Sequence, residues 1–165
     1  MAIQTERLTL RPWRETDAAS LYAYASDPDV GPAAGWPPHR SIEESREIIR
    51  TVFTAPHTFA ICLPETDEPV GSIGLMPPRC ESNSQRGGLE FEVGYWIAKP
   101  FWRRGFAPEA VQAMQRYAFE TLADTRRAIT SRYAFSKNAA SCLITLNATC
   151  PASLWAMCVP STLRI

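Results

Sequence analysis

The chain has 165 residues, of which 45% are hydrophobic and 21% charged, a balance that fits one globular domain and excludes two ordinary domains or an extended disordered chain. Lys plus Arg and Asp plus Glu both number 17, so no global field draws the chain to nucleic acid or an anionic membrane. Five cysteines without a CxxC pair, and only His39 and His57 far from them in sequence, argue against a disulfide framework, a metal site and a His-dependent hydrolase.

The first residues, Met1 to Arg7, carry no apolar stretch behind a basic start, and no apolar run approaches membrane-spanning length, so a cytoplasmic location is expected. Leu8-Thr9-Leu10-Arg11-Pro12 alternates and ends at proline, which predicts a first strand. Asp17 is placed to cap a helix carrying Leu21, Tyr22 and Ala25 on one face. Gly31 to His39 reads as a loop. Ser41 with Glu44 forms a capping-box pattern ahead of Ile48, Ile49, Val52 and Phe53, which predicts a second helix.

Thr58 to Leu63 and Val70 to Met76 are β-type runs around a Pro- and Asp-containing turn, hence a hairpin. A third run, Leu89 to Ile97, alternates until Gly94, where a bulge or a close backbone approach is expected. From Pro108 to Leu122, Val111, Met114, Ala118 and Leu122 share one helical face, with Pro108 suited to the first helical position. Arg127 to Tyr133 suggests another strand, and Ser136 to Ser141 a helix entrance. This order argues for a single mixed α/β domain over residues 1–165. Residues 142–165 form an atypical tail in which Arg164 is the only charged residue. A divergent ending, a truncation with replacement and an altered reading frame all remain open, and apolar surface exposed there would favour a homodimer.

Arg103-Arg104-Gly105-Phe106-Ala107 lies between a strand and a long amphipathic helix. A diphosphate needs several converging donors, and consecutive backbone N–H groups at a helix N-terminus supply them together with the favourable end of the dipole. Gly105 and Ala107 permit close approach, and the two arginines can add charge-assisted contacts. Neither GxxxxGK[ST] nor GxGxxG is present, so a different nucleotide carrier is implied. Glu90 and Glu92 fall on one side of the preceding strand, where either can accept a proton directly or through water.

Glu92-Val93-Gly94-Tyr95-Trp96-Ile97-Ala98-Lys99-Pro100-Phe101-Trp102-Arg103-Arg104-Gly105-Phe106-Ala107-Pro108-Glu109-Ala110 resembles the acetyl-CoA motif of the GNAT superfamily, most closely the branch of ribosomal-protein N-terminal acetyltransferases. Thr5 to Pro12, the Asp17 helix start, Ser26-Asp27-Pro28 and Val70 to Leu75 are similar to that branch as well, and the likeness runs from about Thr5 to Ser141. Trp102 stands where the superfamily often has Gln or Arg, and Arg103 where many relatives have Gly. The Lys-x-Gly-Phe type signature that the branch carries further on has no counterpart here.

The resemblance implies an α/β (α+β) fold with a central, mostly antiparallel sheet flanked by helices, and acetyl-CoA as cosubstrate without a metal. It implies that Ile97 and Ala98 pair with the pantetheine arm, that backbone N–H groups of Arg103, Arg104, Gly105, Phe106 and Ala107 hold the diphosphate, and that Asn138 lies beside the cofactor. The acceptor would be a primary amine, either a peptide N-terminus or a small molecule, with Trp36 and His39 in the loop where relatives place part of its pocket. Glu92, ahead of Glu90, is the candidate base, the N–H of Ile97 a candidate oxyanion donor, and Ser141 and Tyr133 the candidate acids for the leaving thiolate. A CoA-binding protein without catalysis is the competing reading, resting on the atypical tail.

Overall fold

A computed structural model describes residues 1–76, 90–122, 133–135 and 141–145, with side chains for 1–76 and 91–122. Alternation builds its centre. Leu8 and Leu10 are fully buried around β2 (Thr9–Arg11), which pairs antiparallel with β3 (Thr58–Cys62) and, on its other side, with the short β1 (Ile3–Gln4). The predicted hairpin is formed by β3 and β4 (Pro69–Met76), and β4 pairs with β5 (Glu90–Ile97). With β6 (Tyr133–Phe135) and β7 (Ser141–Thr145) the strand order is β1-β2-β3-β4-β5-β7-β6, and every pairing among the described residues is antiparallel.

The sheet separates two apolar layers. On one face α4 (Phe106–Tyr117) sets Phe106, Ala110 and Met114 against Leu10, Ile61, Ile73, Val93 and Ile97. On the other, α1 (Ala18–Ala25), α2 (Val30–Ala34) and α3 (Ile42–Thr51) cover Ala60, Cys62 and Trp96 with Leu21, Ala25, Val30 and Ile49. Burying a side chain such as Met114 or Leu21 completely contributes roughly 1.5–3 kcal/mol, so these two layers supply most of the drive to fold. The predicted face is confirmed: on α4 Met114 is fully buried and Val111 packs at its margin, and the face continues through Ala118, fully buried, and Leu122, partly buried, in a π-helical turn, Ala118–Leu122.

Several local expectations are corrected. Asp17 stands at the N-cap of α1, but its side chain makes no cap bond. Its carboxylate instead takes a two-pronged contact from Arg11, at 2.7 and 3.0 Å, because the buried guanidinium needs a charged partner more than the helix needs a cap. Ser41 does cap α3, accepting from the Glu44 N–H at 3.1 Å, whereas the Glu44 carboxylate turns to the N–H of Arg40. The segment expected as a loop from Gly31 opens with helix α2, closed by Gly35 at φ 89°. Pro32 lies in the first turn of α2, where a missing N–H costs nothing.

Helix α4 begins at Phe106, so Pro108 lies within its first turn rather than at its first position. Gly94 is not a bulge: its register with Gly74 and with Ser141 is unbroken. No backbone approaches closely either: what a Cβ at Gly94 would meet is the tip of the Met76 side chain, 2.5 Å away at Cε. Finally, Ser141, expected at a helix entrance, opens strand β7, while 136–140 lie outside the described residues; Ile144 and Thr145 are β-branched and favour the extended pairing with β5.

Candidate functional site

The end of β5 and the start of α4 form one continuous feature. Ala98 donates to the Val70 carbonyl of β4 at 2.8 Å, so by the alternation of an antiparallel ladder the neighbouring Ile97 turns its N–H and C=O to the opposite edge. On that edge the described pairing with β7 runs as far as Gly94 opposite Ser141, and among the described residues no further strand pairs with Ile97 there. The Ile97 carbonyl accepts the indole N–H of Trp102 at 2.6 Å. Its N–H points along the same edge.

A single helical turn, Lys99–Phe101, leads from this edge to Trp102 and Arg103. Arg103 at φ 62° and Gly105 at φ 79° both take the left-handed backbone conformation, so the chain doubles back before α4 begins. Left-handed residues beside a helix start gather N–H groups into a concave donor array. The first α4 contact to form is Glu109 N–H to the Gly105 carbonyl, at 3.3 Å, and Pro108 has no N–H. The N–H groups of Arg103, Arg104, Gly105, Phe106 and Ala107 precede that contact, and no backbone or capping partner takes them among the described residues. The side chains of Arg103 and Arg104 are exposed, with the Arg104 guanidinium 5.3 Å from the centre of the Phe101 ring.

An ion cluster that local spacing did not reveal holds this turn. Glu109 accepts from the Thr5 hydroxyl at 2.6 Å, the Arg7 N–H at 2.9 Å and Nε of Arg7 at 2.8 Å. Nη1 of Arg7 donates to the Arg104 carbonyl at 2.9 Å. Partial burial works against the Glu109 carboxylate, but these donors outweigh it and hold its pKa below the usual carboxylate value. Thr5 and Arg7 belong to the stretch that resembles the family, yet nothing in their spacing ties them to Glu109, more than a hundred residues away.

On the helical face of the sheet opposite α4, Trp36 meets Trp96 edge-on at 6.0 Å and His39 at 5.0 Å. His39 is buried, its Nδ1 2.8 Å from the Ser45 hydroxyl, and burial lowers its pKa against the opposing pull of Glu44. The indole N–H of Trp96 is buried without a hydrogen-bond partner among the described residues. Lys99, just beyond β5, pairs with Asp29 at the start of α2 and ties the two halves of the region together.

Glu92 lies two positions before Gly94 on β5, paired with Met76 on one side and Leu143 on the other, and its side chain is half-buried. Strand alternation places it on the same face as Trp96. Of Glu90 the backbone alone is described, opposite Thr145. The structure sets Ser141 opposite Gly94, where the ladder ends, whereas Tyr133 lies on the outermost strand, paired with Ile144 and two strand spacings, about 10 Å, from β5. Asn138 lies outside the described residues. Among the described residues, no group of three His, Cys, Asp or Glu side chains could hold a metal ion, and no helix is long and apolar enough to cross a membrane.

Comparison with known proteins gives these features a family context. Residues 7–147 match the profile of the family described as Acetyltransferase (GNAT) domain. A Bacillus licheniformis protein, p20, described as an uncharacterized N-acetyltransferase, is 34% identical over 125 residues, covering 73% of this chain and 67% of that one. Among solved structures, a GNAT-family acetyltransferase from Bacillus anthracis superposes with a TM-score of 0.65 over 89% of this chain and 98% of the other, at 19% identity. A Vibrio cholerae protein with a proposed ribosomal-protein-serine acetyltransferase activity gives 0.55 over 90% and 98%, at 17% identity. At those identities the two structures speak for the fold.

Proposed function

This chain belongs to the GNAT acetyltransferase family, and from that premise we propose that it transfers an acetyl group from acetyl-CoA to a primary amine by direct attack of the amine on the thioester. The observation that carries the reading is the left-handed turn Arg103–Gly105 at the start of α4, beside an edge of β5 that carries no further strand among the described residues. The turn supplies N–H groups for a diphosphate and the edge supplies backbone groups for a pantetheine amide. Acetyl-CoA supplies an activated carbonyl; the protein has to orient it, stabilise the developing oxyanion and take a proton from the amine.

In this reading the N–H groups of Arg103, Arg104, Gly105, Phe106 and Ala107 hold the diphosphate and the N–H of Ile97 guides the arm, whereas Ala98 does not take the part expected of it, because its N–H and C=O are bonded to Val70 and Phe101. Glu92 takes the amine proton on the face that also carries Trp36 and Trp96. Ser141 is the nearer of the two hydroxyl candidates to the end of the β5 ladder, which favours it over Tyr133 as the acid. Trp36 and the Trp96 N–H, which has no partner among the described residues, support an acceptor wall there, and the burial of His39 against Ser45 supports a role for it in holding Trp36. The reaction would take place in the cytoplasm, on a peptide N-terminus or a small amine.

Two measurements test this. Saturable acetyl-CoA binding is expected, and Gly105→Val, which forces a β-branched residue into φ 79°, is expected to weaken it at least about tenfold. Mass spectrometry of a mixed library of amines and N-terminal peptides after incubation with acetyl-CoA is expected to show products heavier by one acetyl group. Binding without any amine-dependent thiol release would instead identify a catalytically silent CoA binder.

A further inference from the structure

Arg7 lies in the turn between β1 and β2, which is closed by the Thr5 N–H donating to the Leu8 carbonyl at 2.9 Å. Its guanidinium has two separate tasks. Nε and Nη2 face the Glu109 carboxylate, at 2.8 and 2.7 Å, while Nη1 reaches the carbonyl of Arg104 at 2.9 Å. The same group lies 5.2 Å from the centre of the Phe106 ring, and Nη2 is 3.2 Å from the place a Cβ on Gly105 would occupy. The guanidinium is therefore laid along the outside of the turn that the proposed function assigns to the diphosphate.

The consequence follows from the geometry of one peptide bond. All peptide bonds among the described residues are trans, and in a planar trans peptide the C=O and the N–H point in opposite directions. Holding the Arg104 carbonyl on Arg7 therefore aims the N–H of Gly105 away from Arg7, into the concave side of the turn. Glycine tolerates either orientation of the peptide before it, because it populates both signs of φ. Reversed, that peptide would present a carbonyl oxygen to an anion in place of a donor. We infer that Arg7 is a positioning residue for the diphosphate: it fixes the Arg104–Gly105 peptide with its N–H toward the ligand, while its charge is spent on Glu109.

The second half of that statement separates Arg7 from an ordinary phosphate-binding arginine. Glu109 sits in the first turn of α4 and, without a cation, would compete with an anion for the same helix end. Arg7 neutralises it and holds the carbonyl with a different nitrogen. Lysine carries its three donors on one nitrogen and cannot set them at the separate positions that Nε, Nη2 and Nη1 of Arg7 occupy.

The inference rests on the acetyl-CoA reading and is tested by comparing kcat/KM for acetyl-CoA with that for S-acetyl-pantetheine, which carries the same thioester arm but no diphosphate. Arg7→Gln, Arg7→Lys and the double variant Arg7→Gln with Glu109→Gln are measured against the wild type, with thermal melts to confirm folding. The preference for acetyl-CoA over acetyl-pantetheine is expected to fall about tenfold in all three, the scale of one lost charge-assisted contact. An equal loss on both substrates would show a purely structural ion pair. Recovery of the preference in the double variant would show that charge compensation, and not the held peptide, is the function of Arg7; either result overturns the inference. Arg7→Lys carries the test if Arg7→Gln does not fold. A wild type that uses neither thioester would instead refute the acetyl-CoA reading itself.

Discussion

The indole N–H of Trp102 donates to the carbonyl oxygen of Ile97 at 2.6 Å, joining the turn that precedes α4 to the last residue of β5. The residue is 42% exposed, so this bond does more than burial to fix where the ring stands. Trp102→Phe keeps the ring and removes the N–H. The loss of one neutral hydrogen bond, about 1 kcal/mol, is expected to raise the KM for acetyl-CoA about fivefold with little change in kcat. Steady-state kinetics decide the matter, and an unchanged KM would mean that the bond does not set the relation between edge and turn.

Glu92→Gln is nearly isosteric and retains the hydrogen-bonding reach of the side chain, but it cannot accept a proton. If Glu92 is the base, kcat is expected to fall about a hundredfold while acetyl-CoA binding is preserved. Full activity in Glu92→Gln would move the role to another residue or to solvent.

Away from the site, Arg11 is 4% exposed and Asp17 7% exposed, and they face each other through two contacts while Nε of Arg11 reaches Asp67 at 2.7 Å. The cluster joins β2, the start of α1 and the β3–β4 turn. Removing Asp17 leaves the buried Arg11 guanidinium with the half-exposed Asp67 as its remaining counter-charge, so Asp17→Asn is expected to cost about 3 kcal/mol in urea denaturation. Thiol titration in the same samples should leave Cys62 silent as long as the fold persists, because burial, against the influence of Arg11, pushes its thiol up to about 12.

His39 gives a pH dependence of defined sign. Burial depresses its pKa in the folded protein, so as pH falls below the ordinary histidine value, about 6.5, the unfolded chain takes up a proton before the native one does. Its contribution to stability is therefore complete above that value and is lost as pH falls toward the folded pKa. Chemical denaturation at about pH 7.5 and about pH 5.5 should show a smaller acid-side loss in His39→Gln than in the wild type. An identical loss in both proteins would mean that His39 does not titrate differently on unfolding.

Periodicity made the β3–β4 hairpin, β5 and the buried face of α4 legible, because each buries one side of a regular element. It failed where a local signal had two physical readings. Gly31 and Pro32 look like loop residues, yet both fit the first turn of a helix that Gly35 closes. The uncharged stretch 142–145 suits a strand as well as a helix, and its pairing with β5 decides the outcome. Gly94 suggested a bulge or a close backbone approach, whereas its pairing is unbroken and the atom that crowds it is the tip of the Met76 side chain. The turn at Gly105 was readable from Gly, Ala and the following helix. The Thr5–Arg7–Glu109 cluster was not, since hydrogen bonds between residues this distant in the chain leave no trace in local spacing.

Strand β1 is two residues long, Ile3–Gln4, and forms one border of the sheet. A border that short offers another polypeptide at most a couple of main-chain partners, too few to sustain strand addition. If two copies of this protein associate along that side, they must do so through side chains, and such a dimer would leave the hydrogen-bonded ladder of each subunit unextended.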